Sequence, residues 1–166
     1  SKIFWVLFKV ILPVIIIIRA LELLGAIPYL AKFLEPLTSF IGIDGSLGLV
    51  WMAAILVNIY AGMAAFASLQ PIFDYTVAET TILGLIILIA HSLPIEVAIA
   101  RQSRVSAMFN LLFRFINAVI AGKILNYIFI KFELFNEQNS SILDIPASVV
   151  SNFDWLILQS KNFLLI

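Results

Sequence analysis

The sequence predicts an all-α integral membrane protein, and three observations predict it. Of 166 residues, 63% are hydrophobic and only 12% charged, where a soluble domain averages roughly 45–50% apolar and about 25% charged. Mean hydropathy is +1.11. Apolar runs recur that are long enough, at ~1.5 Å per helical residue, to cross a bilayer core of ~30 Å. A soluble enzyme of this size would have too little polar surface to meet water. The ten basic and ten acidic residues cancel, so nothing resembles the basic footprint of a nucleic-acid binder. The absence of cysteine removes disulfides, thiolate metal sites, iron–sulfur clusters and Cys nucleophiles together. The single histidine, His91, cannot build a multi-His metal site within one chain. No enzyme activity and no cofactor are expected.

Taken in order, the first run, Ile3 to Leu24, reads as a retained transmembrane helix that Pro13 could kink. Arg19 and Glu22 near its end are spaced for a surface ion pair. From Gly25 to Asp44, Pro28, Lys32, Glu35, Pro36 and Thr38 interrupt Leu30, Phe33, Leu34 and Leu37 at helical spacing. That stretch fits an interfacial amphipathic helix, closed by a turn at Gly42, Asp44, Gly45 and Gly48. Ser46 to Leu69 is long enough to span, with Ala54, Asn58, Ala61, Ala65 and Ser68 on one face if the helix is continuous. The same stretch could instead be two half-helices broken at the Asn58–Gly62 region. Gln70 to Glu79 reads as a loop. Thr80 to Ala90 is half a bilayer long, and Ile95 to Gln102 forms a second short stretch. Between them, Ser92 can cap and Pro94 suits a first helical turn, so the pair predicts a re-entrant hairpin. Val105 to Ile130 is the last spanning helix, with Asn110, Arg114, Asn117 and Ala121 on one face. Asn136 to Ser141 is a polar link, and Ile145 to Ile166 reads as interfacial or packed on a partner.

The string His91-Ser92-Leu93-Pro94-Ile95-Glu96, followed by Val97, Ala98 and the basic Arg101 and Arg104, resembles the second signature of the nucleoside-recognition, or Gate, domain family. The turn Gly42-Ile43-Asp44-Gly45 leading into Ser46–Leu69 is similar to its first. The likeness runs from about Pro13 to Phe129. Similar domains occur in spore maturation membrane proteins, in the membrane part of the bacterial ferrous-iron transporter and in concentrative nucleoside transporters. Those transporters hold two inverted repeats, each with a hairpin and a broken helix. The resemblance therefore implies one repeat, a half-transporter, over residues 1–131, with 132–166 a polar link and C-terminal segment. It also implies a multi-pass protein of the bacterial inner membrane. The chain departs from the iron version, which commonly carries cysteines. It also lacks the Gly-Gln-Thr-Glu-type string of the nucleoside transporters, of which only Glu96 has a counterpart.

Glu96 is the leading candidate for binding a small polar, nucleoside-like solute, because an acid within a membrane segment is costly and functional by default. Its structural alternative is an ion pair with Arg114. His91 could bind solute or titrate, or simply close the hairpin tip. Ser92 could bind solute or only cap. Asn58 and Tyr60 sit at the other candidate break, with interhelical hydrogen bonding as the alternative. Arg114 and Asn117 could line a cavity, with a Glu96 pair favoured for Arg114. One repeat cannot enclose a solute path alone. Lys2, Lys9, Arg101 and Arg104 fall toward one side and Arg19, Lys32, Lys123 and Lys131 toward the other. That balance fits a dual-topology chain. The expected partners are the lipid bilayer and a second, antiparallel copy, or a paralogous half-transporter. The alternative class is a membrane assembly or regulatory protein that transports nothing.

Overall fold

The computed structural model describes residues 2–70, 72–102 and 106–138. Among them the protein is all-α, with seven helices and one isolated bridge in place of any sheet. Pro71, Arg104, Val105 and the segment 139–166, with the expected Ile145–Ile166 element, lie outside the described residues.

Helix α1, Lys2–Leu23, continues through Pro13 without interruption. It stops at Gly25, whose φ of 64° is the left-handed conformation that glycine adopts most cheaply. There Ala26 N–H reaches back to the Leu21 carbonyl (2.8 Å) and Gly25 N–H to Glu22 (2.9 Å), the Schellman pattern that satisfies the last carbonyls. Arg19 and Glu22 pair at 2.6 Å as expected. Helix α2, Ile27–Ile41, starts with proline in its first turn and leaves α1 at 105°. It exposes Tyr29 and Phe33 and buries Ile27, Thr38 and Ile41. A second glycine stop ends it: Gly42 has φ 96°, and Gly42 and Ile43 N–H both bond the Thr38 carbonyl.

The turn is shorter than the sequence suggested. Gly45 and Gly48 belong to helix α3, Gly45–Leu56, where Asp44 is the N-cap. Their missing side chains let α3 press on α2: a β-carbon on Gly45 would meet the Ala31 carbonyl oxygen at 2.5 Å, and one on Gly48 the Thr38 methyl at 2.9 Å. Ser46–Leu69 is broken, settling the choice the sequence left open. Helix α4, Ile59–Leu69, begins after Asn58, whose side chain accepts from Ala61 N–H at 3.0 Å. The small residues thus do not share one face of one helix. Instead α4 packs back on α3, with Gly62 against Ala54, where a β-carbon would come within 2.8 Å. The pair forms a helical hairpin, each arm of 12 or 11 residues reaching ~17 Å, about half a bilayer.

Helices α5, Val77–Ile89, and α6, Leu93–Gln102, overturn the hairpin expected there. They run on as one span, Val77–Ala100, interrupted at Ala90–Ser92. Reversal would require α6 to pack on α5, but α6 packs on α7. Helix α7, Ala107–Lys131, is a second full-length span, with its own face largely outward. Residues 132–138 return to the start of α5, where Val77 and Ala78 N–H bond the carbonyls of Glu137 (2.9 Å) and Phe135 (3.0 Å). These are two of the N–H groups that a helix start leaves unpaired.

Helix α3 is the axis of the core. Leu47, Val50, Trp51 and Ala54 are buried against Ile41, Ile82, Ile86 and Leu69, and Trp51 stacks on Phe115 at 5.2 Å. The bonds between α3 and α5 fix their relation. At their starts Asp44 N–H meets Glu79 (3.0 Å) and Ser46 meets the Tyr75 hydroxyl (2.7 Å). At their ends Trp51 Nε1 donates to the Ala90 carbonyl (3.2 Å) and Ser92 N–H to that of Ala54 (2.9 Å). The two helices therefore run side by side in one direction, and the hairpin tip meets the break in the α5–α6 span.

Candidate functional site

The place where tip and break meet gathers most of the residues singled out from sequence. Ending α5 at Ile89 frees carbonyls that would otherwise bond within the helix, and apolar surroundings make unpaired ones costly. Three of them, on Ile87, Ile89 and Ala90, get side-chain donors. His91 Nδ1 donates to the Ile87 carbonyl at 2.9 Å, which requires the proton on Nδ1 and leaves Nε2 over. Arg114 Nε donates to Ile89 at 2.9 Å, and Trp51 Nε1 takes Ala90. Ser92 holds the break open with φ 51°. Its backbone carbonyl accepts from Ile95 and Glu96 N–H (both 3.1 Å), so α6 starts directly after Ser92.

Glu96 lies in the first turn of α6, where the helix dipole favours an anion, and its carboxylate pairs with Arg114 of α7. Both side chains are about a quarter exposed, 24% and 28%. Arg114 thus links three helices: it neutralises Glu96 on α6 and caps the negative end of α5 from α7.

Three other candidates stand apart from that junction or serve locally. Asn58 caps α4 at the tip, a local role rather than the cross-helix bond weighed from sequence. Tyr60, two residues on, is half exposed. Asn117 is exposed on α7 and donates to its own helix at Phe113 (2.6 Å).

Sequence reading missed two contributors. Trp51 was passed over as an apolar residue, although an indole N–H in an apolar run needs an acceptor. A polar clasp at the opposite end was missed too. Asp44 accepts from Ser46 N–H and hydroxyl, and the buried Ser46 hydroxyl meets the buried Tyr75 hydroxyl. Glu79 bonds both Asp44 N–H and Thr76. Its signal was legible as the Thr76-x-x-Glu79 capping box. Burial raises the Tyr75 pKa above its ordinary value of about 10, and the Asp44 and Glu79 charges push it the same way against the Ser46 hydrogen bond. Among the described residues no group of three or more His, Asp or Glu is placed to hold a metal.

No family model matches the chain, and no solved structure does. The chain is similar to the uncharacterized membrane protein YvoD of Bacillus subtilis (strain 168), 29% identical over 98 residues. Those residues are 59% of this chain and 30% of that protein, so the match spans less than a third of the relative. With the helices described above, the likeness agrees with a membrane protein.

Proposed function

We propose that this protein is a half-transporter-like membrane protein of Gate type that binds a small polar, nucleoside-like solute where the hairpin tip meets the break in the α5–α6 span. One observation carries the reading. Two interrupted helices meet each other, Ser92 N–H to the Ala54 carbonyl, beside an ion pair held among apolar helices. Irregular backbone at membrane depth is tolerated inside protein or against a water-filled cavity, and transporters place their sites at such breaks. The resemblance called for one hairpin and one broken helix per repeat, and both elements are present, with their places exchanged. In this reading Glu96 and Arg114 exchange part of their mutual bonding for solute, with His91 and Ser92 at the rim. Asn58 and Tyr60 approach from the tip. The protein works in the bacterial inner membrane, as an antiparallel homodimer or with a paralogous half.

The test is thermal stabilisation of the detergent-purified protein by nucleosides, nucleobases and other small polar solutes, with Glu96→Gln beside the wild type. A native-state ligand raises apparent stability by mass action, about 2.7 kcal/mol at a hundredfold excess over Kd. The expected result is a hit from one solute class that the variant loses. A flat response across every class contradicts solute binding.

A second reading is favoured by a different observation: at the junction the Ile87, Ile89 and Ala90 carbonyls and the Glu96 carboxylate already have partners within the chain. Such closure suits a non-transporting membrane assembly or regulatory protein, whose polar groups only hold helices together. That reading predicts the flat response.

A further inference from the structure

Helix α2 lies across the helix that follows it. A β-carbon on Gly45, at the start of α3, would meet Ala31, and one on Gly48, a turn further on, would meet Leu34 and Thr38. Antiparallel packing would match these glycines to α2 in the opposite order. Parallel packing would need a longer return than the three residues between the two helices. A crossing remains. Since α3 runs beside the α5–α6 span, α2 lies across the direction of that span, at the end where α5 begins. At ~100° per residue, the part of α2 turned away from α3 divides into two stripes. One is aromatic: Tyr29 and Phe33 are 79% and 80% exposed, and Phe40 is more than half exposed. The other is polar, with Lys32, Glu35 and Ser39 all exposed. Such a helix fits the boundary between headgroups and acyl chains, the apolar stripe toward the chains and the polar stripe toward water. A crossing orientation would carry Lys32 and Glu35 into hydrocarbon, at a cost.

A second observation places an ammonium group beside the aromatic stripe. Lys123 of α7 is exposed, and its Nζ lies 4.8 Å from the centre of the Phe40 ring. Among the described residues no carboxylate lies within ion-pair distance of it. The two helices touch there, Gly122 against Ile41, which fixes the lysine at the level of α2. Two turns further along α7, Lys131 lies near the Tyr127 and Phe132 rings, at 5.9 and 5.8 Å. Aromatic rings collect at the bilayer surface, and lysines there keep their stems in apolar surroundings while the charged heads reach the headgroups. We propose that α2 and Lys123 form a phospholipid-binding surface. Helix α2 lies in the headgroup boundary with its aromatic stripe against acyl chains, and the Lys123 ammonium, over the Phe40 ring, binds the phosphate of an anionic phospholipid. The charge that neutralises Lys123 then comes from the bilayer and not from the chain. The proposal needs neither solute binding nor a second copy.

The absence of native cysteine lets single spin labels test the orientation, on Phe33→Cys and on Lys32→Cys in nanodiscs of phosphatidylcholine and phosphatidylglycerol. Both positions are exposed, so neither variant disturbs the core. Each label is read against oxygen, which concentrates in hydrocarbon, and against a water-soluble nickel chelate. Phe33→Cys should favour oxygen and Lys32→Cys the chelate. Oxygen preference at both would mean that α2 crosses, chelate preference at both that it stands off the bilayer, and any pattern but the expected one overturns the proposal. For the phosphate, phosphatidylglycerol titrated into the detergent-purified protein should raise its unfolding temperature. Lys123→Gln should weaken that apparent affinity about fivefold, the attraction of one lysine to anionic lipid, and Lys123→Arg should retain it. Glycerol phosphate, the same anion without acyl chains, should not stabilise. An equal phosphatidylglycerol response in wild type and Lys123→Gln overturns the phosphate site, and equal stabilisation by glycerol phosphate overturns a lipid as its ligand.

Discussion

Arg114 holds the junction together, and its loss should be felt beyond charge. Removing one partner of a buried pair typically costs ~3–5 kcal/mol because it strands the other, although partial exposure here places the expectation near the lower end. Arg114→Gln should lower unfolding stability by about 3 kcal/mol, and Glu96→Gln by less, since Arg114 keeps the Ile89 carbonyl. The double variant should be less unstable than the two losses added. Chemical denaturation of all four proteins in one detergent gives the coupling directly. Tyr75 makes a prediction in pH. Its pKa is raised in the folded protein, so folding favours the neutral phenol. The contribution is complete below about pH 10, the unfolded value, and is lost as pH rises beyond it toward the folded value. Wild type should therefore lose more thermal stability between pH 9 and about 11 than Tyr75→Phe does. Equal slopes would contradict the buried clasp.

At the scale of elements, the sequence was clear about where helices are and silent about which ones turn back. The apolar runs, the Gly25 and Gly42 stops, and the Asn58 and Ser92 interruptions were all legible, because each is a local matter of propensity and capping. The direction of the chain after each interruption was not legible. Both Val57–Asn58 and Ala90–Ser92 are short polar breaks between half-length helices, and tertiary packing alone separates them. Gly62 lets α4 fold onto Ala54 of α3, whereas α6 finds α7 and stays in line. The Glu96–Arg114 pair was anticipated because buried charge demands a partner, but the Trp51 and Ala54 contributions depended on that packing. Two glycines test the hairpin. Gly62→Ala should destabilise by about 1–3 kcal/mol through overpacking. Gly84→Ala, in the interior of α5 with nothing within 4 Å of a new β-carbon, should be neutral or stabilising by up to about 1 kcal/mol. Thermal unfolding of the pair separates them, and equal effects would contradict the close α3–α4 contact.

For the whole molecule, exchanging hairpin and span leaves the balance of basic residues where it was. The segment that changes sides, 70–76, contains neither Lys nor Arg. By the sequence assignment Lys2, Lys9, Arg101 and Arg104 stay at one end and Arg19, Lys32, Lys123 and Lys131 at the other, four against four, so charge still sets no orientation. Membrane-impermeant labelling of Asp74→Cys in sealed vesicles should accordingly reach roughly half of the copies from either side. Labelling from one side alone would contradict dual topology. In this fold a half-length hairpin enters and leaves at one end while α5–α6 crosses. The most direct test is the distance between spin labels on Asp44→Cys and Asp74→Cys, diluted in unlabelled protein so that only pairs within one chain are read. The fold places both at the end where Ser46 meets Tyr75, and predicts a separation under about 20 Å. A second pair, Asp74→Cys with Ser106→Cys, should lie more than about 30 Å apart along the α5–α6 span. The opposite pattern, a long first distance and a short second one, would mean that 46–69 crosses and 77–102 turns back, and would contradict the account.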